Sequence, residues 1–422
     1  MTAEYLKSAG GGDAVTNDVG PVVAAMLARL QAEGETAART YARDLDGWSG
    51  DITVPRDVVE AAAAQVPDDL KAAITYAHDN IRRFAEAQRA STSDFQIELR
   101  PGLRAGQRQI PLAAAGCYVP GGRYAHIASA LMSITTARVA GVGDITACSP
   151  PRTGQGLPPE VLYAMDLAGA DRIWALGGVQ AVAAMAQGLF DAPPADILAG
   201  PGNAYVAEAK RQLFGPVGID MFAGPTDVLI LADDSADPLT VAWDLVGQAE
   251  HGATSPVWLA TTSRALGQRV LELVPRCIAE LPASNAQAAA AAWAALGEVM
   301  LVPDREALAQ VADQYMAEHL HVQARDLDWW RGRLGAYGSL FLGAGTTVAF
   351  GDKAAGPNHV LPTSRAARYT GGLSVHKFLK TVTWQEVDPP ARVELAQATA
   401  VISRAEGMEG HARTADLRME ER

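Results

Sequence analysis

From Gln107 onward the chain alternates short apolar runs, each closed by Gly or Pro, with Ala-rich stretches of helical spacing. Repeated strand and helix units of this kind join through a parallel sheet with helices packed on it, so an α/β fold is expected. Strands are predicted at 144–148, 172–176, 196–198, 228–232, 257–260, 299–302 and 339–342. Helices fill the gaps at 133–140, 159–168, 179–188, 204–214, 239–248, 264–281 and 305–318. Ahead of these, 21–47 and 58–90 place apolar residues three to four apart, the signature of amphipathic helices. A last helix, 393–406, stops at Gly407. No repeat of 20–50 residues is visible.

Composition narrows the class of function. The 422 residues correspond to two to four domains, with 49% apolar and 20% charged residues, as in ordinary globular proteins. Thirty-five Lys plus Arg against 48 Asp plus Glu leave a net charge of −13, which argues against a nucleic-acid partner. No apolar run reaches membrane-spanning length and the amino end lacks a secretory pattern, so a cytoplasmic protein without membrane contact is expected. Cys117, Cys148 and Cys277 are odd in number and far apart, and are expected to be buried thiols.

Four Gly-rich turns, at 121–123, 176–180, 199–205 and 222–227, each follow an apolar run. In open parallel sheets ligands bind at the carboxyl ends of strands, where such turns lie. A strict GxGxxG is absent, so the turns alone do not establish a dinucleotide site. Polar clusters follow. Gln248 and His251 share one face at a helix end; Glu318 and His319 put a carboxylate beside an imidazole suited to proton transfer; Gly351 to His359, with Asp352 among them, form a Gly-rich polar loop. His411 lies just beyond the Gly-terminated tail helix. One Gln, two His and one Asp make an N/O donor set suited to a catalytic divalent ion, although their spacing alone does not establish one.

The runs CYVPGGRYAHIAS, GGVQAVAAMA, GPGNAYVAEAKRQLFGPVGIDMFAGPTD, QAEHG, EHL, PNHVLPT and EGMEGHA fall in the order and spacing of one family. From about residue 20 to the tail the chain resembles the histidinol dehydrogenases. Further runs, such as GDKAAGPNHVLPTS and TGGLSVHKFLKTVTWQ, are similar to members that oxidise (R)-2,3-dihydroxypropane-1-sulfonate to sulfolactate. The resemblance implies a Zn2+- and NAD-dependent enzyme that takes an alcohol through an aldehyde to a carboxylate in two hydride transfers. It implies Gln248, His251, Asp352 and His411 as zinc ligands, and Glu318 and His319 as the catalytic acid and base. Tyr118, Gln180 and Asn203 match the NAD contacts, and Thr226, His359 and Glu406 the substrate contacts. It further implies an intertwined homodimer in which the tail bearing Glu406 and His411 completes the partner's site.

Histidinol is a cation and the sulfonate an anion, so the charge around the substrate tail should invert. His376 and Lys377 stand where acidic residues are common in the family, and Arg123 and His126 flank the expected NAD contact. These four are expected to include the sulfonate anchor, through charge-assisted hydrogen bonds. Histidinol oxidation is the alternative; a metal-dependent hydrolase or a binding protein without chemistry is a more distant one. The expected organisation is two Rossmann-like lobes, one inserted in the other. Residues 21–117 with 228–368 form the first and 118–227 the inserted second, with an N-terminal segment 1–20 and a partner-reaching tail 369–422.

Overall fold

The structure, a computed structural model, describes residues 3–10, 18–121, 125–222 and 224–419. Its strands in chain order are β1 (Glu4–Lys7), β2 (Phe95–Arg100), β3 (Leu103–Pro111), β4 (Ala114–Tyr118), β5 (Asp144–Ser149), β6 (Arg172–Ala175) and β7 (Ile197–Ala199). They continue as β8 (Gly218–Ile219), β9 (Val228–Ala232), β10 (Val257–Thr261), β11 (Glu298–Leu301), β12 (His319–Gln323), β13 (Ser339–Leu342) and β14 (Leu379–Val387).

Two parallel sheets carry the fold. One has the order β6-β5-β4-β7-β8; the other runs β1-β11-β10-β9-β12-β13, with only β1 antiparallel. Their central strands, Ala114–Tyr118 and Val228–Ala232, are buried throughout, which is why they read as continuous apolar runs and not as alternating ones. Each sheet has an apolar core on both faces. Because β1 belongs to the six-stranded sheet, the five-stranded lobe is inserted between β1 and β9.

Residues 21–117, expected with the sheet of 228–368, pack on the other sheet. Gly20–Glu33 and Glu35–Asp46 bury Val23, Leu30, Ala37 and Ala42 against Val182 and Leu176 on one face. Arg56–Gln65 and Asp68–Ala90 bury Val59, Ile74 and Ile81 with Leu131 and Val161 on the other. Within the 1–20 segment, β1 is an edge strand of the six-stranded sheet, and within the tail β14 completes a small antiparallel sheet β14-β3-β2. β2 alternates Phe95, Ile97 and Leu99 with polar residues, the pattern of a half-buried strand, yet it is exposed along its whole length, so its apolar face has no partner within the chain. The helix predicted at 305–318 ends at Tyr315, since Met316 turns left-handed with φ 51° and releases Glu318 and His319 to the start of β12. Ala283–Leu296 is a further helix, and all three cysteines are buried, as expected. No helix among the described residues is long and apolar enough to cross a membrane.

Candidate active site

Strand order locates two crevices. In the five-stranded sheet β4 is followed outward by β5 and β6, after which the chain returns to β7 on its other side. The crevice beyond the carboxyl ends of β4 and β7 is the place where helix N-termini and turns diverge to admit a ligand. In the six-stranded sheet the same reversal lies between β9 and β12. Asp227 directly precedes β9 and Glu318 directly precedes β12, so the second crevice presents the amino ends of its strands.

At the first crevice, Tyr118 closes β4 and its hydroxyl accepts a hydrogen bond from the Gly178 N–H at 3.2 Å. Gly178 (φ 59°) opens the helix Gly178–Gln187. Gln180, buried on that helix, donates through Nε2 to Asp46 Oδ2 at 3.0 Å, and its Oε1 has no partner. Asn203 caps the helix Ala204–Leu213, accepting from the Tyr205 and Val206 N–H groups at 3.1 Å. Gly200 (φ 113°) lies so close to β4 that a Cβ there would stand 2.0 Å from the Tyr118 carbonyl oxygen. Two helix N-termini thus open beside glycine backbone, an arrangement suited to a nucleotide's phosphates. Tyr118, Gln180 and Asn203 share this region.

At the second crevice, Asp227 and Glu318 hold each other reciprocally. The Asp227 N–H donates to Glu318 Oε2 at 3.1 Å, and the Glu318 N–H to Asp227 Oδ1 at 2.8 Å. His319 Nδ1 donates to the Asp227 carbonyl at 2.8 Å, which leaves Nε2 buried, without a hydrogen-bond partner and 3.5 Å from Asp352 Oδ1. Burial pushes the Glu318 carboxyl up to about 7, and Asp227 adds to the rise while His319 opposes it. Burial works against a charged His319, but the Glu318 and Asp352 carboxylates outweigh it and raise it to about 9. Asp352, despite burial, is held at about 2 by His319 and the neighbouring imidazoles.

The helix Pro238–Ala249 brings Gln248 and His251 to the same place. Gln248 is buried and donates to Thr226 Oγ1 at 2.6 Å; His251 Nε2 stands 3.7 Å from Asp352 Oδ2. Burial lowers the His251 pKa, so the ring is neutral and its lone pair available near neutral pH. His359 donates through Nδ1 to the Asp352 carbonyl at 2.9 Å, and Ser129 from the other lobe lies 3.0 Å from its Nε2, so this loop bridges the lobes. His126 and His251 line one open cleft of about 520 Å³ with Gly121, Ser284 and Gln287.

Among the described residues no three His, Cys, Asp or Glu side chains converge as a metal site. The donors present are Gln248, a neutral His251 and an ionised Asp352, an N/O set that fits zinc and needs one ligand more. His411 is not within reach. It is exposed on the tail helix Glu409–Asp416, which packs on Pro389–Ala405, and Glu406 caps the latter without any bond to the cluster. His376 and Lys377 also lie apart, on a 3-10 turn where their polar contacts are Thr92 at 2.8 Å and Thr370 at 3.4 Å. Arg123 lies outside the described residues. Of the three described candidates for the sulfonate anchor, His126 is the one placed beside the cluster.

A family model for histidinol dehydrogenase matches residues 12–419. The chain belongs to the histidinol dehydrogenase family. It is 74% identical to a Ruegeria pomeroyi protein described as a histidinol dehydrogenase homolog, over 100% of this chain and 97% of that one. It is 58% identical to the sulfopropanediol 3-dehydrogenase of the same organism, over 99% and 97%. The crystal structure of histidinol dehydrogenase from Elizabethkingia anophelis superposes with a TM-score of 0.92 at 32% identity, covering 98% of this chain and 94% of that one. Membership of this dehydrogenase family gives the α/β fold with parallel sheets a solved counterpart. Asp227 and Asp46, which hold the Glu318–His319 pair and Gln180, are not conspicuous in the sequence. Asp227 was visible only as one residue of the GPTD run, and Asp46 sits in an ordinary amphipathic helix.

Proposed function

We propose that the protein is a zinc- and NAD-dependent dehydrogenase that oxidises 2,3-dihydroxypropane-1-sulfonate through the aldehyde to sulfolactate. The observation that carries this reading is the 58% identity, along essentially the full length, to a sulfopropanediol 3-dehydrogenase. The electrostatics of the cleft support it. His126 lies within charge–charge reach of His359, Lys353 and His251, and with burial they lower its pKa to about 4. With the three imidazoles neutral near neutral pH, Lys353 is the cation of this rim, and it favours an anionic tail over the ammonium of histidinol.

Zinc, bound by Gln248, His251, Asp352 and His411 from the tail of a second copy, would polarise the substrate hydroxyl, and NAD, held at Tyr118, Gln180 and Asn203, would accept hydride. His319 supplies the base. Its Nδ1–H is anchored on the Asp227 carbonyl, so Nε2, which turns toward Asp352, is the nitrogen left to exchange the substrate proton. While Asp352 balances its charge His319 holds a proton; committing Asp352 to a cation removes that hold, and alkaline pH removes the proton itself. Glu318, with a carboxyl near neutrality, activates the water that attacks the aldehyde. Thr226 and His359 line the path of the substrate. Exposed Val401, Ile402 and Met408 on the tail, and Phe95, Ile97 and Leu99 on β2, provide the apolar surface for a homodimer with exchanged tails.

The test is NADH formation at alkaline pH with the sulfonate and histidinol in parallel, with and without chelator. Two NADH per sulfonate, abolished by chelation and by His319→Ala, are expected. Turnover of histidinol in place of the sulfonate would refute the substrate assignment.

A further inference from the structure

Behind the ligand set lies a buried polar cluster that none of these steps uses. Asp244 sits on the helix Pro238–Ala249, one turn ahead of Gln248 on the same face, and His251 follows two residues after the helix ends. Its Oδ1 accepts from the Thr347 hydroxyl at 2.7 Å. Thr347 caps the short helix Val348–Lys353 that carries Asp352. Its Oδ2 accepts from Gln323 Nε2 at 2.6 Å, at the far end of the strand that His319 begins. His321, fully buried on that strand, turns Nδ1 toward Asp244 Oδ2 at 3.4 Å and places Nε2 3.0 Å from the Gly343 carbonyl, just beyond β13. His321 Nε2–H donates to the Gly343 carbonyl, while its Nδ1 stands beside Asp244 without a hydrogen bond, so the carboxylate takes its two donors from Thr347, which caps one helix, and Gln323, which ends the strand.

We propose that Asp244 is a positioning residue for the reaction centre: one carboxylate ties together the helix of Gln248 that leads into His251, the strand of His319, and the helix of Asp352. Those groups come from three elements, and main-chain pairing fixes only the strand relative to its neighbours. The Asp244 cluster is the side-chain link that gives the two helices the same reference frame. Outer groups of this kind commonly change metal affinity 10–100-fold when removed.

This inference rests on the zinc reading above, and the experiment separates the two. Zinc affinity is measured by chelator competition, and ligand geometry by the visible spectrum of the cobalt-substituted protein, for wild type, Asp244→Asn, Thr347→Val and Thr347→Ser. Asp220→Asn, which breaks a buried ion pair in the other lobe, is the control for general destabilisation. The expected result is zinc bound about 10–100-fold more weakly, with altered cobalt bands, in Asp244→Asn and Thr347→Val. Thr347→Ser should return to wild type, and Asp220→Asn should melt earlier with zinc affinity within about twofold of wild type. If Asp244→Asn does not fold, the Thr347 pair decides. Zinc affinity in Thr347→Val and Asp244→Asn within about twofold of wild type would overturn the positioning role. Wild-type protein that retains no zinc would overturn the zinc reading itself, and the positioning role with it.

Discussion

Lys210 and Asp220 form an ion pair beneath the first crevice, the proposed NAD site, both almost fully buried at 3% and 2% exposure. Asp220 Oδ2 accepts from the Gly200 N–H at 2.7 Å, and Lys210 Nζ donates to the Gly200 carbonyl at 3.0 Å, so the pair grips the turn that touches Tyr118. Replacing Lys210 with Met leaves a buried carboxylate without its cation. Loss of one partner of such a pair costs about 3–5 kcal/mol. Asp220 retains backbone donors from Gly200 and Met221, both at 2.7 Å, which places this case near 3 kcal/mol, at the low end of that range. For a lobe of roughly 200 residues, where 1 kcal/mol moves Tm by about 2–4 °C, the melting point should fall by roughly 6–12 °C. Urea unfolding and a thermal melt measure the loss, and an NAD titration should show weaker binding because the Gly200 turn loses its anchor. Lys210→Met combined with Asp220→Leu should recover most of the stability, since an apolar pair of similar volume carries no desolvation penalty. A single variant within about 1 kcal/mol of wild type, or a double variant no better than the single, would refute the reasoning.

Gly200→Ala puts a methyl 2.0 Å from the Tyr118 carbonyl at a left-handed φ, so NAD binding should be lost together with stability; a variant with wild-type NAD affinity would contradict the close approach. Burial raises the Asp227 pKa from 3.8 to about 6, opposed by the Glu318 N–H and by His319. A carboxyl raised on folding stabilises below its unfolded pKa and loses that contribution as pH climbs to the folded value, here about 3 kcal/mol between about pH 4 and 6. Urea curves across that window should show a shallower decline for Asp227→Asn than for wild type. Finally, His319→Ala and His411→Ala should each be inactive, yet mixed subunits should regain roughly a quarter of wild-type activity through heterodimers with one intact site. No recovery on mixing would exclude tail exchange.

Legibility in the sequence followed burial. The predicted strands stood out because parallel strands covered on both faces must be apolar along their length, as in Val228–Ala232. In the antiparallel sheet, Phe95–Arg100 alternates apolar Phe95, Ile97 and Leu99 with polar residues and is legible as a strand, whereas Leu103–Pro111 and Leu379–Val387 carry mixed side chains on partly exposed faces and are not. Glu318 and His319 were conspicuous as adjacent titratable groups; that both are buried and pinned by Asp227 was not. His376 and Lys377 stood out as basic substitutions, but the 3-10 turn that holds them packs at the end of Asp68–Ala90, beside Thr92.

Local order, the α/β class and the identity of the ligand-type residues were determined by the sequence alone, since each depends on residues near one another in the chain or on runs characteristic of one family. Which sheet the first helices cover was decided by complementarity between apolar faces more than a hundred residues apart, as between Val23 and Val182. The convergence of Gln248, His251, His319 and Asp352 was decided the same way. They sit on three elements, brought together by parallel pairing of β9 with β12 and by the buried carboxylate of Asp244, and no local pattern encodes a contact of that range.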